Sequence, residues 1–102
     1  MVIDYNNIPI IESVLELVQS GFIPGGTKNN LDHVSPKIHF SKNISKDMQY
    51  ILADAQTSGG LLISISEDKV HSLQKILTEY NCLSYQVIGK VQKYNDYSIY
   101  VN

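Results

Sequence analysis

Two short stretches concentrate the groups that could do chemistry. Asp54-Ala55-Gln56-Thr57-Ser58-Gly59-Gly60 places a carboxylate just ahead of a glycine-rich turn that feeds an apolar run. A carboxylate is a hard oxygen donor, and magnesium takes only one or two of them from a protein, keeping water and phosphate oxygens for its other positions. Carboxylates also organise turns by accepting backbone N–H bonds, so the spacing alone leaves both roles open for Asp54. Pro24-Gly25-Gly26-Thr27-Lys28-Asn29-Asn30 gathers flexible backbone, a hydroxyl, an ammonium and side-chain amides. Successive glycine N–H groups can converge on an anion such as phosphate, with Lys28 as a point charge, or can simply form a turn. The stretch is not a nucleotide P-loop, because the Gly-Lys-Ser/Thr ending is missing and no strand directly precedes it.

The remaining reactive residues form no constellation. Thr57 and Ser58 have no histidine base near them in sequence, which argues against a nucleophilic role. His33, His39 and His71 are scattered without metal-ligand spacing, and His71 falls on the polar side of a helical pattern. Cys82 reads as a small packing residue at a helix end, and as the single cysteine it excludes an internal disulfide or a Cys–Cys metal clip. Tyr80, Tyr85, Tyr94, Tyr97 and Tyr100 crowd the C-terminal part, and those beyond Tyr80 read as strand residues; a nucleic-acid stacking platform needs a cationic groove as well.

The elements that must position these groups follow from periodicity and capping. The opening Met1 to Asn7 is mixed and either extended or poorly ordered. Pro9 suits a helix start, Ile10 to Val18 carries apolar residues at helical spacing, and Gly21 is placed to end that helix. Residues 22–37 are rich in Gly, Pro and Asn and read as a long loop. Lys37 to Phe40 alternates like a short strand, and Ser45 caps a helix from Lys46 whose Met48, Ile51 and Leu52 face inward. Leu61 to Ile65 predicts a buried central strand. Ser66 then opens a helix marked by Val70, Leu73, Ile76, Leu77 and Tyr80, closed by Asn81. Tyr85 to Val91 and Tyr97 to Val101 predict a hairpin around Asn95-Asp96. The sum is an α+β domain, a mixed or antiparallel sheet covered by amphipathic helices.

With 102 residues, 43% of them hydrophobic, the chain has room for one domain with a core of its own. A net charge of −2 argues against electrostatic binding to nucleic acid or to an anionic membrane surface. No apolar run reaches the ~20 residues of a membrane span, and a cationic, apolar leader is missing, so the expected location is cytoplasmic.

At this point the motifs resemble a known family. Gly21-Phe22-Ile23-Pro24-Gly25-Gly26-Thr27, followed by Asn30, resembles the G-I-V-P-G-G-T-x-x-N signature of the selenophosphate synthetases (selenide, water dikinases). Asp54-Ala55-Gln56-Thr57-Ser58-Gly59-Gly60-Leu61-Leu62-Ile63 is similar to that family's D-P-Q-T-S-G-G-L-L-I, and Val87-Ile88-Gly89-Lys90-Val91 to its closing I-I-G-x-V. The three occur in the family's order, across nearly the whole chain. Ala55 departs from the usual proline, which loosens the turn without removing a functional atom.

The resemblance implies the family's C-terminal domain, related to the C-terminal domain of aminoimidazole ribonucleotide synthetase. The complete enzyme uses ATP and magnesium to convert selenide into selenophosphate, AMP and orthophosphate, for selenocysteine and selenouridine synthesis. Its N-terminal domain binds ATP, dimerises, and supplies the catalytic Cys (or selenocysteine) and Lys pair with most of the magnesium-binding aspartates; nothing in this chain corresponds to them. By motif match, Asp54 stands where the C-terminal domain contributes its one magnesium-ligating aspartate. Physics agrees that one aspartate and one lysine are too little for phosphoryl transfer. The expected state is therefore an inactive chain, with no tightly bound cofactor, until an N-terminal ATP-binding domain or a homo-oligomer partner is supplied. The alternative is a non-enzymatic remnant that self-associates or pairs through an exposed apolar face. Gln56-Thr57-Ser58-Gly59-Gly60 speaks against a hydrogenase-maturation or thiamine-phosphate kinase relative.

Overall fold

Three of the four strands of the sheet come from the two ends of the chain and the fourth from its middle. In the computed structural model, which describes residues Met1–Asn102, strands β1 (Val2–Ile3), β2 (Ile38–Phe40), β3 (Gly89–Lys90) and β4 (Ile99–Val101) lie in the order β2-β4-β1-β3. β4 runs parallel to both β1 and β2, and β3 is antiparallel to β1. The register sets Val2 opposite both Lys90 and Tyr100. Of the opening residues, Val2 and Ile3 are extended and hold a central place, whereas Tyr5–Asn7 form a 3-10 turn capped by the Asp4 carboxylate rather than an extended or loose segment.

That place overturns the expected hairpin. The segments around β3 and β4 do not pair with each other, because β1 lies between them and satisfies a backbone edge of each. Gly89 makes the approach possible: a Cβ built there would collide with the Val2 carbonyl oxygen. The apolar run Leu61 to Ile65 is likewise no strand, and Leu61 is 90% exposed. The central positions of the sheet are filled by β1 and β4, so the run lines one side of an open apolar cleft of about 1950 Å³. The sheet, all four helices and this run border that cleft together.

Four helices accompany the sheet: α1 (Val14–Gln19), α2 (Gly25–Val34), α3 (Lys46–Leu52) and α4 (Val70–Glu79). α1 is shorter than the apolar periodicity suggests, because Ser13 takes φ 65° and left-handed backbone cannot lie inside a right-handed helix. Its end follows expectation. Gly21, at φ +88°, donates to the Val18 carbonyl while Phe22 donates to that of Leu17, the paired bonds of a left-handed glycine stop. Asn81 closes α4 in the same way at φ 53°, its N–H going to Thr78 and that of Cys82 to Leu77. Ser45 caps α3, its hydroxyl oxygen accepting from the Met48 N–H at 3.2 Å.

The expected loop over 22–37 is mostly helix. α2 occupies Gly25–Val34, and a 3-10 turn follows at Ser35–Lys37. Its inward residues are Thr27, Leu31 and Val34, a four-three spacing carried by only one large apolar side chain before the final valine. That is too little hydrophobicity to outweigh two glycines and two asparagines in a sequence pattern. Leu31 is nevertheless 1% exposed, and with Ile44 and Val101 it makes up the buried apolar core. α3 packs against both α1 and α2, which brings its C-terminal end to the start of α2.

Candidate functional site

The two polar motifs meet at that junction. α3 stops at Leu52, Ala53 forms its C-cap, and Asp54 follows with its N–H on the Ile51 carbonyl. Opposite, Pro24 with φ −58° and ψ 146° turns the chain into α2, whose first turn holds Gly25, Gly26 and Thr27. The Thr27 hydroxyl donates to Oδ1 of Asp54 at 2.6 Å. One turn further on, the Asn30 side-chain amide donates to the Ala53 carbonyl at 3.2 Å. Gly26 lets the segments close up, since a Cβ there would meet the Ala55 Cβ at 3.3 Å.

Burial is divided unequally across this contact. Thr27 is 2% exposed, whereas Asp54 is exposed at the edge of the apolar cleft. The carboxylate is thus tethered through one oxygen, and Oδ2 carries no hydrogen bond from the protein. A short hydroxyl-to-carboxylate bond is charge-assisted and among the stronger protein hydrogen bonds. Beyond Asp54, Gln56 folds back on the turn, its Oε1 2.6 Å from where a Gly59 Cβ would lie.

The donor set defines what this junction could hold. One hard carboxylate oxygen at the surface suits a magnesium ion that takes its other ligands from water, phosphate or a second protein body. It does not make a complete metal centre: no group of three or more His, Cys, Asp or Glu side chains comes together in the structure. Lys28, on the second polar motif, is exposed in α2.

Other candidates lie elsewhere. His33 and His71 are exposed on α2 and α4. His39 in β2 packs against Tyr97 and Tyr100, with ring centroids 5.4 and 5.7 Å away. Cys82 is exposed rather than packed, because the left-handed turn at Asn81 carries it past the end of α4. Of the C-terminal tyrosines only Tyr100 lies in a strand. The sequence offers the Thr27 hydroxyl without indicating a partner for it. Its partner lies 27 positions away, and only a helix over 25–34 turns the hydroxyl towards it.

The fold and the junction define an α+β domain that presents a single hydroxyl-held carboxylate beside a glycine-led helix. No protein-family model matches the chain. It is 35% identical over 100 residues to selenide, water dikinase of Aliarcobacter butzleri, covering 98% of this chain and 29% of that protein. Selenide, water dikinase of Myxococcus xanthus is 41% identical over 90 residues, 88% of this chain and 25% of the relative. That of Caldanaerobacter subterraneus subsp. tengcongensis is 38% identical over 98 residues, 96% and 28% respectively. The chain is a sequence relative of the selenide, water dikinases, and it spans only about a quarter of the length of the curated relatives it matches.

Proposed function

We propose that these 102 residues are the C-terminal domain of a selenide, water dikinase and work as one part of a shared catalytic centre in the cytoplasm. The observation that carries this reading is the junction itself. Two motifs far apart in sequence converge to hold Asp54 exposed, with one oxygen tethered and the other free. In the reading, Asp54 supplies one oxygen to magnesium, which when bound neutralises the charge of the ATP phosphates. Thr27 and Asn30 hold the two segments together, and the turn at Gly59 and Gly60 leads the chain back to the cleft wall. The remaining carboxylates, the nucleotide cradle and the selenide-handling groups come from an ATP-binding domain, in the same polypeptide or in another.

The exposed apolar residues support a covering body. Leu61, Leu62 and Ile63 are 90%, 66% and 49% exposed beside the cleft. The same surface is what a non-enzymatic module that self-associates would use. The two readings separate on activity.

The test supplies this chain with the ATP-binding portion of a relative and measures selenide-dependent AMP formation. The chain alone is expected to give none, and the pair to give turnover that depends on magnesium. Asp54→Asn keeps an oxygen that can accept from Thr27 but removes the charge; we expect turnover to fall by about 100-fold, a transition-state loss of ~2.7 kcal/mol, with the thermal midpoint within about 2 °C. Full turnover in that variant, or AMP formation by the chain alone, overturns the proposal.

A further inference from the structure

We propose that Thr27 is the positioning residue for Asp54: its buried hydroxyl selects one rotamer of the carboxylate and leaves Oδ2 as the oxygen offered to the cation. The inference rests on the reading that Asp54 is a magnesium ligand and assigns a role to the threonine that follows the first glycine pair.

Two other hydroxyls, at Ser35 and Thr78, bond back along their own helix. Ser35 donates to the Leu31 carbonyl at 2.6 Å and Thr78 to that of Gln74 at 2.8 Å, both bonding back by four residues. Thr27 does not. Its backbone N–H reaches Pro24, while its hydroxyl crosses to a different element and a charged acceptor.

The contact is also not a helix cap. A capping carboxylate accepts from free backbone N–H groups of the first turn, and Asp54 accepts from a side-chain hydroxyl instead. Pro24, at the N-cap position, makes no side-chain cap either. The bond therefore orders Asp54 more than it stabilises α2.

The burial asymmetry points the same way. An exposed aspartate ordinarily samples several rotamers, and a ligand that needs one of them binds more weakly by the fraction of time spent in the others. Thr27 is 2% exposed, so its own rotamer is set by packing, and it passes that order to Asp54 through one 2.6 Å bond. Asn30 on Ala53, the residue before Asp54, fixes the backbone from which the carboxylate projects. Ordering a ligand before the cation arrives is preorganisation.

The test compares Thr27→Val, Thr27→Ser and Asp54→Asn. Valine keeps the volume of threonine and removes the hydroxyl; serine keeps the hydroxyl. In the 102-residue chain, NMR scalar couplings report the χ1 distribution of Asp54 without any metal. We expect one rotamer in the parent chain and in Thr27→Ser, and averaged couplings in Thr27→Val. In the complex with the ATP-binding portion, Thr27→Val is expected to raise the magnesium concentration at half-maximal rate by about fivefold or more. The rate at saturating magnesium should fall less than about threefold, and Thr27→Ser should restore the magnesium requirement. A single Asp54 rotamer in Thr27→Val, or an unchanged magnesium requirement in that variant while Asp54→Asn loses turnover, overturns the role of Thr27. Full turnover in Asp54→Asn instead overturns the metal reading, and the couplings still decide whether Thr27 orders Asp54.

Discussion

The chain contains two glycine pairs, and they lead to opposite outcomes. Gly25-Gly26 opens α2, whose next inward residues, Thr27 and Leu31, are the two most buried in the molecule. Gly59-Gly60 opens Leu61 to Ile65, a far more apolar run that remains exposed along a cleft. Hydrophobicity alone ranks the two segments the wrong way round. Burial followed the segment whose spacing let it close against α3, where a hydroxyl and an amide completed the contact. The apolar run has the composition for burial and no covering surface within these residues.

Leu31→Ala should test the buried side of that contrast with the largest effect. Removing a leucine side chain that is 1% exposed is expected to cost about 3 kcal/mol, lowering the thermal midpoint by more than 10 °C. A much smaller shift would mean that α2 is held by its polar contacts rather than by its core face.

The first glycine pair can be split. Gly25 has nothing within 4 Å of a built Cβ, so Gly25→Ala should raise stability by about 0.5–1 kcal/mol through a less flexible unfolded chain. Gly26→Ala gains the same entropy but drives a methyl against Ala55, one residue from Asp54. We expect its thermal gain to vanish and the backbone amide shifts of residues 53–55 to move. Equal stabilisation by both substitutions would show that the close approach of the two motifs is not tight.

The smallest effect belongs to the second pair's segment. Leu61→Ser should leave the thermal midpoint of the 102-residue chain within about 2 °C, because a side chain that is 90% exposed has little burial to lose. A large fall would place the run in a packed environment.

These contrasts mark where the amino-acid order was informative. Local chemistry was legible: Ser45 and Asn81 bound their helices, Gly21 stops α1, and Asp54 lies at the surface in a glycine-rich turn. The two motifs were visible as separate strings. Their convergence was not, because it depends on α2, a helix whose inward face is a threonine, one leucine and a valine. Strand partnership was hidden for a related reason. Tyr85 to Val91 and Tyr97 to Val101 are neighbours in sequence, and nothing local announces that Val2 and Ile3 come between them. Ser13 carries no mark of its left-handed backbone either, which is why α1 begins later than its apolar pattern suggests.

The central position of β1 sets an order on assembly. Val2 and Ile3 are made well ahead of both their partners, Gly89–Lys90 and Ile99–Val101. Until then the strand is a bare template, and the sheet cannot close before Val101 has been made. Such distant pairing is the slow kind, with the whole loop to be drawn in before any bond rewards it. The clasp between Thr27 and Asp54 needs nothing beyond the Asp54 turn, so it can form well before the sheet that completes the domain.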